Sequence, residues 1–345
     1  MMASHEPGAS NPKSDRLSRR LALGAIGSAL AAPIVGIPAI GRAQLHTDWP
    51  SQPVRYINPF PPGGATDTLS RLWCAKMSDI TGQQFVVENR SGSGGNVGVD
   101  VVAKSRPDGT TIGMGGIASH AIAPTLYANL PFDPVRDFTF VSGLWRLPNI
   151  LVVNNDLPAR SVPELIALLK ANPGKYAYGS SGIGTTPHLS GELLKQLAGV
   201  DILHVPYRGG APALLDLMGG RIHLIMDNIP GYLPSVRDGK IRALAVTGPQ
   251  RSQAAPELPS MSEFLPGFEM TSWTCLCGPA GLPLPMQERM SAFARQALES
   301  PDLVRSYQDL GAAPWWTTPA QIRAFRAQEE ARLAPLVRAT GARVE

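Results

Sequence analysis

Residues 54–80, VRYINPFPPGGATDTLSRLWCAKMSDI, decide the class of the fold. The first five are a short apolar strand. Pro59-Phe60-Pro61-Pro62-Gly63-Gly64 then breaks it, because proline cannot donate to a ladder and glycine admits tight turns. From 66 to 80 the residues Leu69, Leu72, Trp73, Met77 and Ile80 recur at helical spacing and share one face. A strand, a proline- and glycine-rich loop and a helix therefore follow one another in a single unit.

That unit recurs outward along the chain. A strand at 84–88 leads through Ser91-Gly92-Ser93-Gly94-Gly95 into a helix at 97–105, and a strand follows at 111–114. Further strands are predicted at 138–145, 150–153, 176–179, 202–205, 222–226, 243–246 and 271–277. Helices are predicted at 162–171, 187–198, 211–218 and 232–238. Ser161, with Pro163 and Glu164 behind it, is a helix start, and Thr186 is read as the cap of 187–198 with Pro187 in the first helical position. Residues 249–266 read as loop, and helices at 285–299, 301–310 and 319–340 close the chain. Alternation of this kind predicts an α/β fold with parallel sheets and right-handed crossovers, and ligands at the carboxyl ends of the strands. A chain of 345 residues is long enough for two such domains. No repeat of solenoid period is present.

The first 43 residues read as a targeting segment. Ser18-Arg19-Arg20-Leu21 places a twin arginine before the apolar run 21–40, and Gly41-Arg42-Ala43 offers small residues to a signal peptidase. The expectation is an export signal cleaved after Ala43, with the alternative of a membrane anchor disfavoured by Pro33, Pro38 and several glycines. The twin-arginine and general secretory routes both fit. No later segment is apolar enough to span a membrane.

The formal charge of +4 invites a nucleic-acid reading. Residues 1–43 hold five of the 31 cations and two of the 27 anions, which leaves 26 against 25 in the remainder. With no basic run or aromatic-interleaved stripe, no nucleic-acid partner is expected. Cys275 and Cys277 fall on one face of a strand, where a mutual disulfide would be strained, and Cys74 falls in a helix. All three read as small buried residues. No Cys/His cluster supports a metal, so neither metal nor cofactor is expected.

Three loops look built for an anion, each joining a strand to a helix start. The first is 60–67, with Phe60, Ala65, Thr66 and Asp67; glycines let its backbone N–H groups turn toward a ligand, and a helix N-terminus carries about half a positive charge. Asp67 caps the helix or accepts a bond from a ligand group or ordered water. The second is 180–188, where Ser180, Gly184 and Thr185 add main-chain and hydroxyl donors and His188 lies in the first turn. A His188/Glu192 metal pair lacks a third ligand. The third is 205–212, which contains a fixed cation, Arg208, able to grip a carboxylate with two bonds. Facing helix N-termini would let a diacid bridge two lobes, and closure would select the liganded state.

At these residues the chain strongly resembles the extracytoplasmic receptors of tripartite tricarboxylate transporters, the Bug family. The matching stretches are PFPPGGATD (59–67), VVENRSGSGGNVG (86–98), PDGTTIGMG (107–115), LPFDPVRDF (130–138), SSGIGTTPHLSGELL (180–194), VDILHVPYRGGAPAL (200–214), GGRIHLIMDN (219–228) and GKIRALAVT (239–247). The resemblance implies a type II periplasmic-binding-protein fold of two α/β lobes with a ligand cleft between them. Lobe 1 would comprise 44–147 and 268–345 and lobe 2 residues 148–267, with crossings near 145–149 and 266–271. It further implies a periplasmic monomer that captures a small carboxylate, a di- or tricarboxylate or an aromatic acid, and a partnership with the membrane subunits of a secondary transporter. Phe60, Ala65, Thr66, Asp67, Ser180, Gly184, Thr185 and His188 match the family's ligand loops. Asp227, at a strand end facing the cleft, is added as either a ligand contact or a turn residue. Asn58 stands where the family usually carries an apolar residue. Ala313-Pro314-Trp315-Trp316 is read as an aromatic staple for the last helix.

Two rivals remain. An enzyme would need a motif the chain lacks: Val97 replaces the last glycine of a dinucleotide loop, and no GxSxG is present around 178–183. A ligand-sensing accessory of a signalling system would use the same binding physics.

Overall fold

Residues 138–153 are apolar on both alternating faces, the pattern of a strand buried on each side, and they form one long strand, β4 (Phe138–Val153), around which the sheet is organised. In the computed structural model, residues 48–344 are described; the leader expected at 1–43 lies outside them. The strands before β4 are β1 (Val54–Asn58), β2 (Phe85–Asn89) and β3 (Thr111–Gly116), and those after it are β5 (Ala177–Ser180), β6 (Leu203–Pro206), β7 (Leu224–Asn228), β8 (Arg242–Val246), β9 (Thr271–Pro279) and β10 (Ala313–Pro314). The helices are α1 (Ala65–Thr81), α2 (Asn96–Ala103), α3 (Ala123–Leu126), α4 (Val162–Ala171), α5 (Thr186–Ala198), α6 (Gly210–Met218), α7 (Leu233–Arg237), α8 (Leu284–Leu298), α9 (Pro301–Asp309) and α10 (Pro319–Ala339).

The sheet runs β2-β1-β3-β9-β4-β7-β5-β6, with β8 and β10 also paired to β4. The first part of β4 lies antiparallel to β9, from Phe138↔Pro279 to Pro148↔Thr271. From Asn149 onward it pairs with β7, and with β8 on its other side. The expected parallel pairing holds in two triads, β2-β1-β3 and β7-β5-β6. The strands between them are antiparallel, because β4 and β9 carry the chain from one half of the sheet to the other in opposite directions.

Three local differences from expectation have physical reasons. Residues 138–145 and 150–153 are one strand: Pro148 falls where β4 changes partner, so its missing N–H breaks little of the ladder. Residues 118–126 contain a π turn and α3, in a stretch whose Ala, Ser and Pro content gives no amphipathic period. The cap of α5 is Thr185, extended at φ −96° and ψ 164°, and Thr186 is already helical.

Each half of the sheet is buried on both faces. In the first half Tyr56, Ile112, Met114 and Leu276 pack under α1, α8 and α9, while Ile57, Trp273, Cys275 and Cys277 pack against α2 and α10. In the second, Leu151, Val153, Tyr178 and Met226 face α4 and α5, and Ile150, Val152 and Ile225 face α6 and α7. The strand period of two thus supplies both cores. All three cysteines are free and buried, and burial pushes the Cys277 thiol up to about 12. Trp315 acts as the expected staple, edge-on to Trp273 and, at 4.7 Å, to Phe325 of α10. No helix among the described residues is long and apolar enough to cross a membrane.

Candidate functional site

The loops that follow the parallel strands of both halves open onto one cavity of about 260 Å³. Three helices begin at its wall: α1 at Gly64–Thr66, α5 at Thr185–Pro187 and α6 at Gly210 and Ala211. None of the three has a side-chain cap. By contrast, Ser161 caps α4 and Thr318 caps α10. The first-turn amides at the cavity are therefore left for another acceptor, and the dipoles make each position favourable to negative charge. Ser181, Thr185 and Thr186 add hydroxyls, and Phe60, Met114, Leu214, Leu215 and Trp273 supply apolar wall. Among the described residues, no Lys, Arg or His lines this cavity, and no group of three or more His, Cys, Asp or Glu could hold a metal.

The first loop is shaped by buried polar groups beneath it. Asp67 accepts from the Gly63 amide at 3.0 Å, from Arg71 Nε at 3.0 Å and from Asn89 Nδ2 at 2.9 Å. Burial raises its carboxyl, but the bonds from Arg71, Gly63 and Asn89 outweigh this and hold it below the ordinary range. Asn89 also donates to the Phe60 carbonyl at 2.9 Å, and Asn58 does so at 3.2 Å. Asn58 is thus fully buried and braces the turn. Asp67 does the same from behind and does not line the cavity.

The second loop rests on a stack of rings. Ser180 Oγ lies 2.7 Å from His204 Nε2, and the Gly184 amide donates to His188 Nδ1 at 3.3 Å. The His188 and His204 rings stack at 4.5 Å, and His204 stacks on Tyr178 at 4.7 Å. Burial, reinforced by His188, lowers His204 to about 3, and burial also lowers His188, so both imidazoles are neutral. Thr185 Oγ1 donates to the Gly182 carbonyl at 2.6 Å, which tightens the turn.

The structure therefore brings Phe60, Ala65, Thr66, Thr185 and Asp227 together at the cavity and places Asp67, Ser180, Gly184 and His188 behind its wall. Arg208 lies elsewhere. It is exposed in a second pocket of about 280 Å³, which shares Gly94, Gly95 and Ser181 with the main cavity. Asp227 is buried, accepts from the Asn228 amide at 2.7 Å and from Tyr232 Oη at 3.2 Å, and is pushed up to about 6 by burial. The residues 114–119 and 272–274 also line the cavity and were missed by sequence reasoning. The rule that ligands meet the carboxyl ends of strands could have found 114–116 on β3. No local pattern marks Leu214, Leu215 or the start of β9.

The two halves touch around the cavity through glycines. A methyl group on Gly209 would strike the Pro61 ring, and one on Gly94 would strike the Ile183 carbonyl. The cleft is thus closed.

Two α/β lobes shut over a cavity that offers main-chain donors and hydroxyls define a solute-binding protein of the type II periplasmic-binding-protein fold. The chain belongs to the tripartite tricarboxylate transporter family receptors, whose model matches residues 69–342. It is 36% identical over 299 residues to protein BugT of Bordetella pertussis, covering 86% of this chain and 92% of that one. Among solved structures it is similar to Rpa4515 of R. palustris, solved with adipate (38% identity, TM-score 0.84, 86% of this chain and 100% of that one). It is also similar to MatC of Rhodopseudomonas palustris, solved with malate (31% identity, TM-score 0.79, 84% and 100%).

Proposed function

We propose that this chain is an exported periplasmic receptor that captures a small carboxylate between its lobes, does no chemistry on it, and delivers it to the membrane subunits of a tripartite secondary transporter. The observation that carries the reading is the convergence of three uncapped helix N-termini and several hydroxyl side chains on one small cavity. Such a wall replaces the hydration of a carboxylate without a cation, and removal of water on closure strengthens each bond. The amides of Ala65 and Thr66 and the hydroxyls of Thr66 and Thr186 are the donors in this reading, while Thr185 lines the wall with its hydroxyl hydrogen held by the Gly182 carbonyl. Phe60 is wall, and Asp67, Ser180, Gly184 and His188 hold the loops in shape. Arg208, at the neighbouring pocket, draws anions toward the mouth. Adipate and malate in similar proteins support the ligand class, and the twin-arginine leader supports export. Lobe 1 comprises 44–147 and 268–345 and lobe 2 residues 148–267, and the receptor acts as a monomer.

A thermal-shift screen of the protein from residue 44 onward, with mono-, di- and tricarboxylates, tests this. A cognate acid at about a hundred times its Kd adds about 2.7 kcal/mol of stability and is recovered unchanged. A response to sugars with none to carboxylates would sink the proposal.

A further inference from the structure

The cavity read above as an anion site contains an acid. Asp227 is the one carboxyl among its described lining residues, and no basic side chain lines the cavity to neutralise it. Its place follows from the sheet. The parallel register pairs Gly179 with Ile225, so Asp227 falls two residues on, level with Ser181 at the entry to α5. Its Oδ2 sits so near Gly210 that only a hydrogen fits there.

The acid is under-supplied with donors. A carboxylate has about four acceptor positions. The Asn228 amide fills one, the Ser181 hydroxyl faces the carboxyl from the entry to α5, and Tyr232 Oη, 3.2 Å away, has a single hydrogen that also faces the Gly210 carbonyl at 3.1 Å, which leaves about one position open. The opposite wall is the reverse. At the start of α1 the amides of Gly64–Thr66 find no acid, because Asp67 is turned into the protein and paired with Arg71. The cavity thus has a donor-only end in one half and an acceptor in the other.

We infer that Asp227 sets the substrate class: the ligand is a carboxylate that also carries a hydroxyl or ammonium group, and this group donates to the Asp227 carboxylate while the acid function rests on the main-chain donors. The inference rests on the proposed function and narrows it. A plain diacid long enough to reach Asp227 would place carboxylate against carboxylate with no cation between them, which disfavours both charges. Adipate, which lacks such a donor, and malate, which has one, show that similar proteins were solved with both kinds; Asp227 assigns this chain to the second.

The test is calorimetric titration at pH 8, where Asp227 is ionised, with acids matched in chain length. Succinate is set against malate and aspartate, glutarate against 2-hydroxyglutarate and glutamate, and butyrate against 3-hydroxybutyrate. A hydrogen bond to a charged group supports a preference of about tenfold or more for the donor-bearing member of the best-bound set. Asp227→Asn, checked for an unchanged fold by circular dichroism, collapses that preference and tightens the plain diacid. The wild-type titrations decide the matter even if the variant misfolds. Equal or tighter binding of plain acids by wild type, or a preference that survives in the variant, overturns the inference while leaving the receptor reading intact. Binding of no acid in any set overturns the inference, and the receptor reading falls with it only when the wider carboxylate screen is silent as well.

Discussion

At the scale of single residues, Asp227 is the group on which the inference about binding and the pH dependence of stability both turn. Its ordinary value near 3.8 rises to about 6 in the folded chain through burial. Between those values the folded state holds a proton that the unfolded state has released. The stability from the neutral carboxyl is therefore complete below about pH 4 and is lost as pH climbs through 6. Two units of displacement correspond to about 3 kcal/mol at most. Asp227→Asn should thus stabilise the ligand-free protein at pH 8 by up to about 3 kcal/mol, with the gain vanishing toward pH 4. Urea unfolding at both pH values measures it, and equal midpoints for variant and wild type at pH 8 would contradict it. Such a cost is typical of a position kept for what it binds and not for what it holds together.

At the scale of elements, the glycine turns carry the closure. Gly209 is extended, with φ 163° and ψ 175°, a conformation open to any residue. Its only demand for glycine comes from the Pro61 ring across the cleft. Gly209→Ala is therefore a wedge that leaves its own lobe unstrained. It should weaken carboxylate binding by about tenfold or more, as titration would show, while moving the ligand-free melting temperature by no more than a surface substitution does. Unchanged affinity would mean that the halves need not meet at this seam. The elements around these turns were legible in the sequence because each is local: a short apolar run ended by proline for β1, spacing of three and four for α1, Ser161 as the cap of α4. What was illegible depends on partners far along the chain. Pro148 reads as a breaker until β7 is seen to take over from β9, and Arg208 reads as a ligand clamp until its loop is seen to face the neighbouring pocket. Ser180 and His188 were found as a cluster, but only the ring of His204, sixteen residues beyond His188, shows that they form the floor of the loop and not the cavity wall.

At the scale of the whole molecule, two segments pass between the halves and are tied side by side. The Asn149 amide donates to Thr247 Oγ1 at 2.8 Å, Thr247 Oγ1 donates to the Met270 carbonyl at 2.6 Å, and the Met270 amide donates to the Thr247 carbonyl at 2.9 Å. Asn149 also bonds Ser190 and Asn228 through its side chain. A crossing knotted in this way favours rotation of the lobes as rigid bodies over local melting. Small-angle X-ray scattering should then show the ligand-free protein with a larger radius of gyration than the liganded one, and Gly209→Ala should stay expanded with acid present. Identical scattering curves with and without ligand would rule out the rotation.

The cradle on the first helix is made of peptide N–H groups, and this bears on how such receptors diversify. Mutation can exchange any side chain, yet apart from proline it cannot delete an amide hydrogen. The proposed grip on an acid is thereby insulated from drift, while Met114, Leu214, Leu215 and Asp227 are open to change. A lineage built on this plan can acquire a new nutrient by a few wall replacements, without first losing its grip on the old one.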